Sequence, residues 1–200
     1  MRDGLYGKYE TLPLIRQHEV DFTTSEMVRL CGLQSGFTVS TACSSALNAI
    51  IKGAELLKNK SAARVVAGGT EAMTLFHLNG FASLGILSKK ACRPFRDDRD
   101  GINLGEGAAY FVMEDADIAL ARGAKIYGYL AGFGNSCDAY HQTASSPEGD
   151  GAYDAMTHAL RMARINPQQI DYINAHGTAT PNNDASELRA LERVFGCHIP

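Results

Sequence analysis

The chain has 200 residues, 45% of them hydrophobic and 20% charged, with a formal net charge of −3. That is enough chain for one sizeable core or two small domains. The mild acidity and the lack of a Lys/Arg cluster give no basis for binding nucleic acid or an anionic membrane, the longest apolar runs are too short to span a bilayer, and Met1-Arg2-Asp3 does not open a signal peptide.

In chain order, Thr23 with Glu26 three residues on predicts a capping box that opens a short helix, and Gly32 predicts its stop. Residues 36–42 read as a strand. From 44 to 58 the apolar positions Ala46, Leu47, Ala49, Ile50, Ile51, Ala54, Leu56 and Leu57 cover most of a helix, apolar nearly all round in its first turns and so expected to be buried. Short strands follow at Arg64–Gly68 and Ala109–Met113, with a glycine-rich stretch at 101–107 between them. A loosely alternating strand is expected at 125–133, a helix at 152–164 ended by Asn166-Pro167, a strand at 170–175, and a helix at 184–195 capped by Gly196. Strands alternating with helices predict an α/β fold with mainly parallel pairing. Five cysteines, at 31, 43, 92, 137 and 197, are odd in number and contain no Cys-x-x-Cys pair. They fit reduced thiols in a cytoplasm better than disulfides or a bound metal.

Cys43 is the residue with the most chemistry in its position. It stands in Val39-Ser40-Thr41-Ala42-Cys43-Ser44-Ser45-Ala46, where a predicted strand meets a predicted helix. A thiol at a helix N-terminus meets free N–H groups and the positive end of the helix dipole, which favour the nucleophilic thiolate. Taken alone, a cysteine there fits a small buried apolar side chain better than a nucleophile. The second segment that bears on it is Asn174-Ala175-His176-Gly177-Thr178-Ala179-Thr180-Pro181.

These segments belong to a longer series. It comprises Thr-Ala-Cys-Ser-Ser at 41–45, Ala-Gly-Gly-Thr-Glu-Ala at 67–72, Gly-Phe at 80–81, Leu-Ser at 87–88 and Arg-Pro-Phe at 93–95. Asp-Gly at 100–101, Gly-Glu-Gly-Ala at 105–108, Ala-Arg-Gly-Ala-Lys-Ile at 121–126, Asp-Ala-Tyr-His at 138–141 and Ala-His-Gly-Thr at 175–178 complete it. In this order the motifs resemble the β-ketoacyl synthases of the thiolase superfamily, the carbon–carbon bond-forming enzymes of fatty-acid and polyketide synthesis. The resemblance implies a thiolase-like layered α/β fold with mixed, mainly parallel sheets. It divides the chain into 1–115, the later part of an N-terminal half carrying the nucleophile, and 116–200, the first part of a C-terminal half carrying the histidine. It also implies that the chain corresponds to the middle of a ketosynthase. A lysine, a second active-site histidine and a glycine-rich loop with a gating phenylalanine belong to the family and are not in this sequence, so these residues alone are expected to be deficient in condensation.

By resemblance, Cys43 takes an acyl chain from an acyl carrier protein thioester, with its own N–H donating to the oxyanion. His176 donates a hydrogen bond to the malonyl thioester carbonyl and stabilises the enolate left by decarboxylation. Thr178 and Thr180 match the positions that bind the phosphopantetheine amides, although threonine hydroxyls in a turn also serve ordinary turn bonding. Phe81 resembles an acyl-pocket residue and equally fits plain core. Glu106, Asp184 and Glu187 are expected to hold loops, and Asp138 with His141 to be a non-catalytic loop motif. No metal and no cofactor beyond the carrier's phosphopantetheine is implied. The implied partners are an acyl carrier protein and a second subunit, in a homodimer or a ketosynthase-like heterodimer joined along residues 37–41.

Two departures stand out. Arg96 takes a place commonly acidic in Arg-Pro-Phe-Asp, and Asn182-Asn183-Asp184 replaces a frequent Gly-Asp, with asparagine expected to tolerate a positive φ. Asn79-Gly80-Phe81, Ser145–Gly149 and Pro181–Asp184 look closest to ketosynthases of aryl-polyene and flexirubin-type pathways. Two other readings remain: a non-catalytic partner of the chain-length-factor type, against which Cys43 argues, and a Cys/His thioester hydrolase.

Overall fold

The computed structural model describes residues 17, 19–141 and 144–200, and Met1–Asp3 lie outside them. The described residues fall into two packing units, one formed by those up to Gly69 with Ala109–Glu114, the other by those of Thr70–Ala108 and from Asp115 on.

In the first unit, helix α1 spans Phe22–Cys31 and ends on Gly32 at φ 62°, whose left-handed backbone closes it as expected. Its start differs from the predicted capping box. The helix begins at Phe22, one residue before Thr23, with Asp21 at its N-cap, and no side chain caps it. Glu26 turns instead to Arg29, 2.6 Å away on the same helix. Helix α2, Ser45–Lys58, packs on a two-stranded sheet of β1, Arg64–Glu71, and β2, Gly107–Glu114. Gly53 is the contact: a Cβ there would lie 3.2 Å from Val65 Cγ1 and 3.3 Å from Met113 Sδ, so the bare backbone lets the helix approach both strands. At the end of β1, a Cβ on Gly69 would sit 2.8 Å from the Ala46 Cβ. That close approach seats the first turn of α2, next to Cys43, directly on the strand. The expected all-round burial of α2 is not met. Gly53 is its one buried residue, and Leu47 is 67% exposed.

The second unit holds α3 (Leu75–Ser83), α4 (Ala116–Ala121), α5 (Asp150–Ala163), a 3-10 turn at Pro167–Gln169 and α6 (Pro181–Phe195). Helix α6 starts three residues earlier than predicted because Pro181 occupies its first position, where a missing N–H costs nothing. Asn182 and Asn183 are therefore helical, and no positive φ is required of them. Helices α5 and α6 pack against each other, with Ala190 and Leu191 buried. The Ser186 hydroxyl donates to the Ser146 carbonyl at 2.7 Å. At the start of α5, Asp150 accepts from the Ser146 hydroxyl at 2.6 Å and from Arg193 at 2.8 Å. Those two bonds hold its carboxyl below the ordinary aspartate range.

The predicted strands at 36–42, 125–133 and 170–175 form no regular ladder among the described residues. A strand is defined by its neighbour, and these segments find none there. Residues 132–134 lie on α5 instead, since a Cβ at Gly132 or Gly134 would collide with the carbonyl of Ala159 or Ala155. Elsewhere in the predicted strands, Tyr127 is 89% exposed and Tyr172 75%. No described helix is long and apolar enough to cross a membrane.

Candidate active site

The turn before Cys43 is built by short-range bonds of its own sequence. Ser44 Oγ donates to the Thr41 carbonyl at 2.8 Å, Ser45 Oγ donates to the Ala42 carbonyl at 2.7 Å, and the Thr41 N–H donates to Ser45 Oγ at 2.8 Å. From the next turn of α2, Asn48 Nδ2 reaches back to Thr41 Oγ1 at 2.9 Å. These bonds force Ala42 to φ 54°, a left-handed backbone that a residue with a Cβ adopts only where its surroundings impose it. The strained residue directly precedes Cys43, which is exposed two residues before the first residue of α2. Serine and threonine thus do local work that a hydrophobic reading does not detect.

The histidine turn is built differently, by carboxylates on the helix that follows it. Glu187 accepts from the His176 N–H at 2.7 Å through one oxygen and from the Gly177 N–H at 2.9 Å through the other. Asp184, one helical turn earlier and 1% exposed, accepts from the Ala179 N–H at 3.0 Å and from the Phe95 N–H at 2.7 Å. The turn bends through two left-handed residues, Gly177 at φ 51° and Ala179 at φ 62°. Ala179 is wholly buried, while the His176 side chain is exposed.

Of the predicted site residues, His176, Thr178 and Thr180 share this one turn, and the two threonine hydroxyls bond each other at 2.8 Å. Phe81 sits on α3, half-buried. Cys43 belongs to the first packing unit. The expected loop-holding carboxylates behave so: besides Asp184 and Glu187, Glu106 accepts from the Met73 N–H at 2.7 Å, and Asp138 of the 138–141 loop motif likewise accepts from the Ser146 N–H at 3.0 Å.

Three features escaped the sequence reading. Phe95 carries a left-handed backbone at φ 61°. Arg99 lies 3.9 Å from Asp184 and donates to the Pro181 carbonyl at 2.9 Å. Asp98 meets Arg93 at 2.7 Å and so provides a carboxylate two residues beyond Arg96, in a loop where the acidic residue was missed. The Arg-Pro-Phe and Asp-Gly motifs were the available signals, but neither says what it touches.

Residues 32–119 match the family described as Beta-ketoacyl synthase, N-terminal domain, and residues 127–199 the Beta-ketoacyl synthase, C-terminal domain. The chain is 46% identical over 165 residues to a 3-oxoacyl-[acyl-carrier-protein] synthase 2 of Synechocystis sp., covering 79% of this chain and 40% of that protein. It is 42% identical over 168 residues to the protein of the same name from Staphylococcus aureus, covering 81% of this chain and 41% of the relative. Among solved structures it is similar to a chain of the complex of the ketosynthase ApeO with its chain length factor ApeC from Xenorhabdus doucetiae. The TM-score is 0.84 at 36% identity, covering 92% of this chain and 44% of that one. The chain thus spans about two fifths of the length of the curated relatives it matches. Its fold is the thiolase-like α/β fold of the ketosynthases. The chain belongs to the β-ketoacyl synthase family.

Proposed function

We propose that this chain supplies the nucleophile and one catalytic histidine of a 3-oxoacyl-[acyl-carrier-protein] synthase. The observation that carries the reading is the pair of built turns. Cys43 follows a strained residue at the mouth of a helix, and His176 is fixed by two carboxylate–backbone bonds, within a chain that matches both family domains.

In this reading the Cys43 thiolate attacks the carbonyl of an acyl carrier protein thioester. A new C–S bond forms, and the phosphopantetheine thiol leaves. The Cys43 N–H donates to the oxyanion. A malonyl thioester then loses CO2, and its enolate carbon attacks the Cys43-bound acyl carbonyl. The C–C bond forms, the Cys43 thiolate is released, and the product is a 3-oxoacyl thioester on the carrier. His176 donates a hydrogen bond to the malonyl thioester oxygen as charge develops there. Thr178 and Thr180 bind the amides of the phosphopantetheine arm, exchanging their mutual bond for bonds to it, and Phe81 lines the acyl pocket. The reaction needs no cofactor beyond the carried phosphopantetheine, and it runs in the cytoplasm, where the five cysteines stay reduced. The halves 1–115 and 116–200 each contribute one of the two turns. The partners are an acyl carrier protein and a second ketosynthase-like subunit, identical or of the chain-length-factor type.

The test loads a polypeptide that carries these residues at the length of its relatives with a radiolabelled acyl carrier thioester, then adds malonyl carrier protein. The reading expects label on Cys43 followed by label in a longer 3-oxoacyl product. Release of free acid identifies a hydrolase, and no label on Cys43 identifies a non-catalytic partner; either result overturns the reading.

A further inference from the structure

We infer that Phe95 is a positioning residue for His176: its ring, held against Gly177 by a left-handed backbone that Asp184 anchors, fixes the main chain from which the imidazole acts. The inference rests on the ketosynthase reading of the histidine turn.

A bulky residue at φ 61° is a backbone outlier, and such residues persist only where surrounding structure over-determines them. Burial of the side chain does not account for it, because Phe95 is 40% exposed. What holds the backbone is a single bond to a buried carboxylate, from the Phe95 N–H to Asp184 at 2.7 Å. The other oxygen of the same carboxylate takes the Ala179 N–H at 3.0 Å. One side chain therefore ties the 92–95 loop to the 176–179 turn, and the two backbone N–H groups it accepts from belong to left-handed residues.

The consequence falls on Gly177. A Cβ at Gly177 would lie 3.3 Å from the Phe95 ring at Cε2 and 3.3 Å from the Pro94 Cβ. The bare glycine is the space those two rings cover. The same loop touches the turn again one residue later, where the Cys92 thiol donates to the Thr178 carbonyl at 3.6 Å. The turn is held through its N–H groups by Glu187 and at Gly177 by the ring of Phe95. The ring's contact is with Gly177, next in the chain to His176, so its effect on the reaction is through placement. Loss of the ring loosens the histidine donor while leaving Cys43, in a separate packing unit, with its own turn intact.

The experiment compares Phe95→Gly and Phe95→Tyr with the parent, at the length of the relatives, by three readouts: acylation of Cys43, elongation with malonyl carrier protein, and hydrogen exchange of the His176 and Gly177 amides. Glycine accepts φ 61° without strain, so Phe95→Gly removes the ring and leaves the left-handed backbone allowed. The inference expects Phe95→Gly to slow elongation tenfold or more and to speed exchange of the two amides tenfold or more, with acylation within twofold. Phe95→Tyr stays within twofold of the parent in all three. Elongation and exchange both within twofold of the parent for Phe95→Gly overturn the inference, as does an equal fall in acylation and elongation. A parent that does not elongate at all overturns the ketosynthase reading. The exchange measurement then still decides the ring's hold on the turn: a tenfold rise in Phe95→Gly supports it and no rise refutes it.

Discussion

Replacing Asp184 by alanine should be among the most damaging single changes in the second unit. Its carboxylate is 1% exposed and receives two backbone N–H groups, from Phe95 at 2.7 Å and Ala179 at 3.0 Å. A hydrogen bond to a charged group is worth about 1.5–3 kcal/mol, and both donors would be left unsatisfied. The residues that donate are left-handed at φ 61° and φ 62°, so the strain they hold loses its anchor. Arg99, whose side chain is 19% exposed and whose Nε lacks a hydrogen-bond partner among the described residues, would lose the carboxylate 3.9 Å away. Stripping one partner from such a buried arrangement costs about 3–5 kcal/mol, because these contributions are shared rather than additive. At about 2–4 °C per kcal/mol for a chain of this size, Asp184→Ala should lower Tm by roughly 6–20 °C. Asp184→Asn keeps one acceptor and turns an amide toward the other donor, so it should fall between parent and alanine. Urea unfolding of the three proteins measures the series. A loss below about 1 kcal/mol for Asp184→Ala would refute the reasoning, because the bonds would then be replaceable by water.

Three further outcomes are expected. Gly177→Ala adds a methyl 3.3 Å from two rings at φ 51° and should cost about 1–2 kcal/mol, read by the same unfolding curves, with alkylation of Cys43 unchanged. Cys43 should react with iodoacetamide before Cys31, Cys137 and Cys197, which are also exposed; mass mapping that finds one of those first contradicts the helix-terminus argument. Asp150 is held ionised in the folded chain by Ser146 and Arg193, so its pKa is depressed on folding. Its contribution to stability is present above the ordinary aspartate value of about 3.9 and is lost as pH falls through the lower folded value. The stability gap between parent and Asp150→Asn should therefore shrink in that acid range, and a gap that stays constant down to the acid limit contradicts the assignment.

What the sequence made legible was local. The apolar spacing of 44–58, 152–164 and 184–195 located α2, α5 and α6 within a few residues, because a helix satisfies its own backbone. Segments 36–42, 125–133 and 170–175 read as strands by composition and alternation, but a ladder depends on a neighbour that no spacing identifies. Helix α3 was missed: its stretch Leu75–Ser83 is apolar without a clear face, and its start depends on the Thr74 hydroxyl accepting from the His77 N–H. At the candidate site, Cys43 and His176 stood out through their motifs, and Asp184 and Glu187 as acids on the following helix. The hold of Asp184 on Phe95 did not, because it joins residues 89 positions apart through a backbone N–H. Side-chain identity does not encode such a contact, and the strained φ that reveals it exists only in the folded chain.

The central claim is that Cys43 carries the acyl group and His176 serves the later malonyl step. It is tested most directly by acyl transfer and elongation in His176→Ala and Cys43→Ala, at the length of the relatives. Removing one preorganised donor at such a step costs about 2.7–4 kcal/mol, or roughly a hundred- to a thousandfold in rate. The account predicts that His176→Ala takes acyl label on Cys43 at close to the parent rate and loses elongation by at least that factor, whereas Cys43→Ala takes no label. A His176→Ala protein that elongates at the parent rate, or a Cys43→Ala protein that still takes up acyl label, would contradict it.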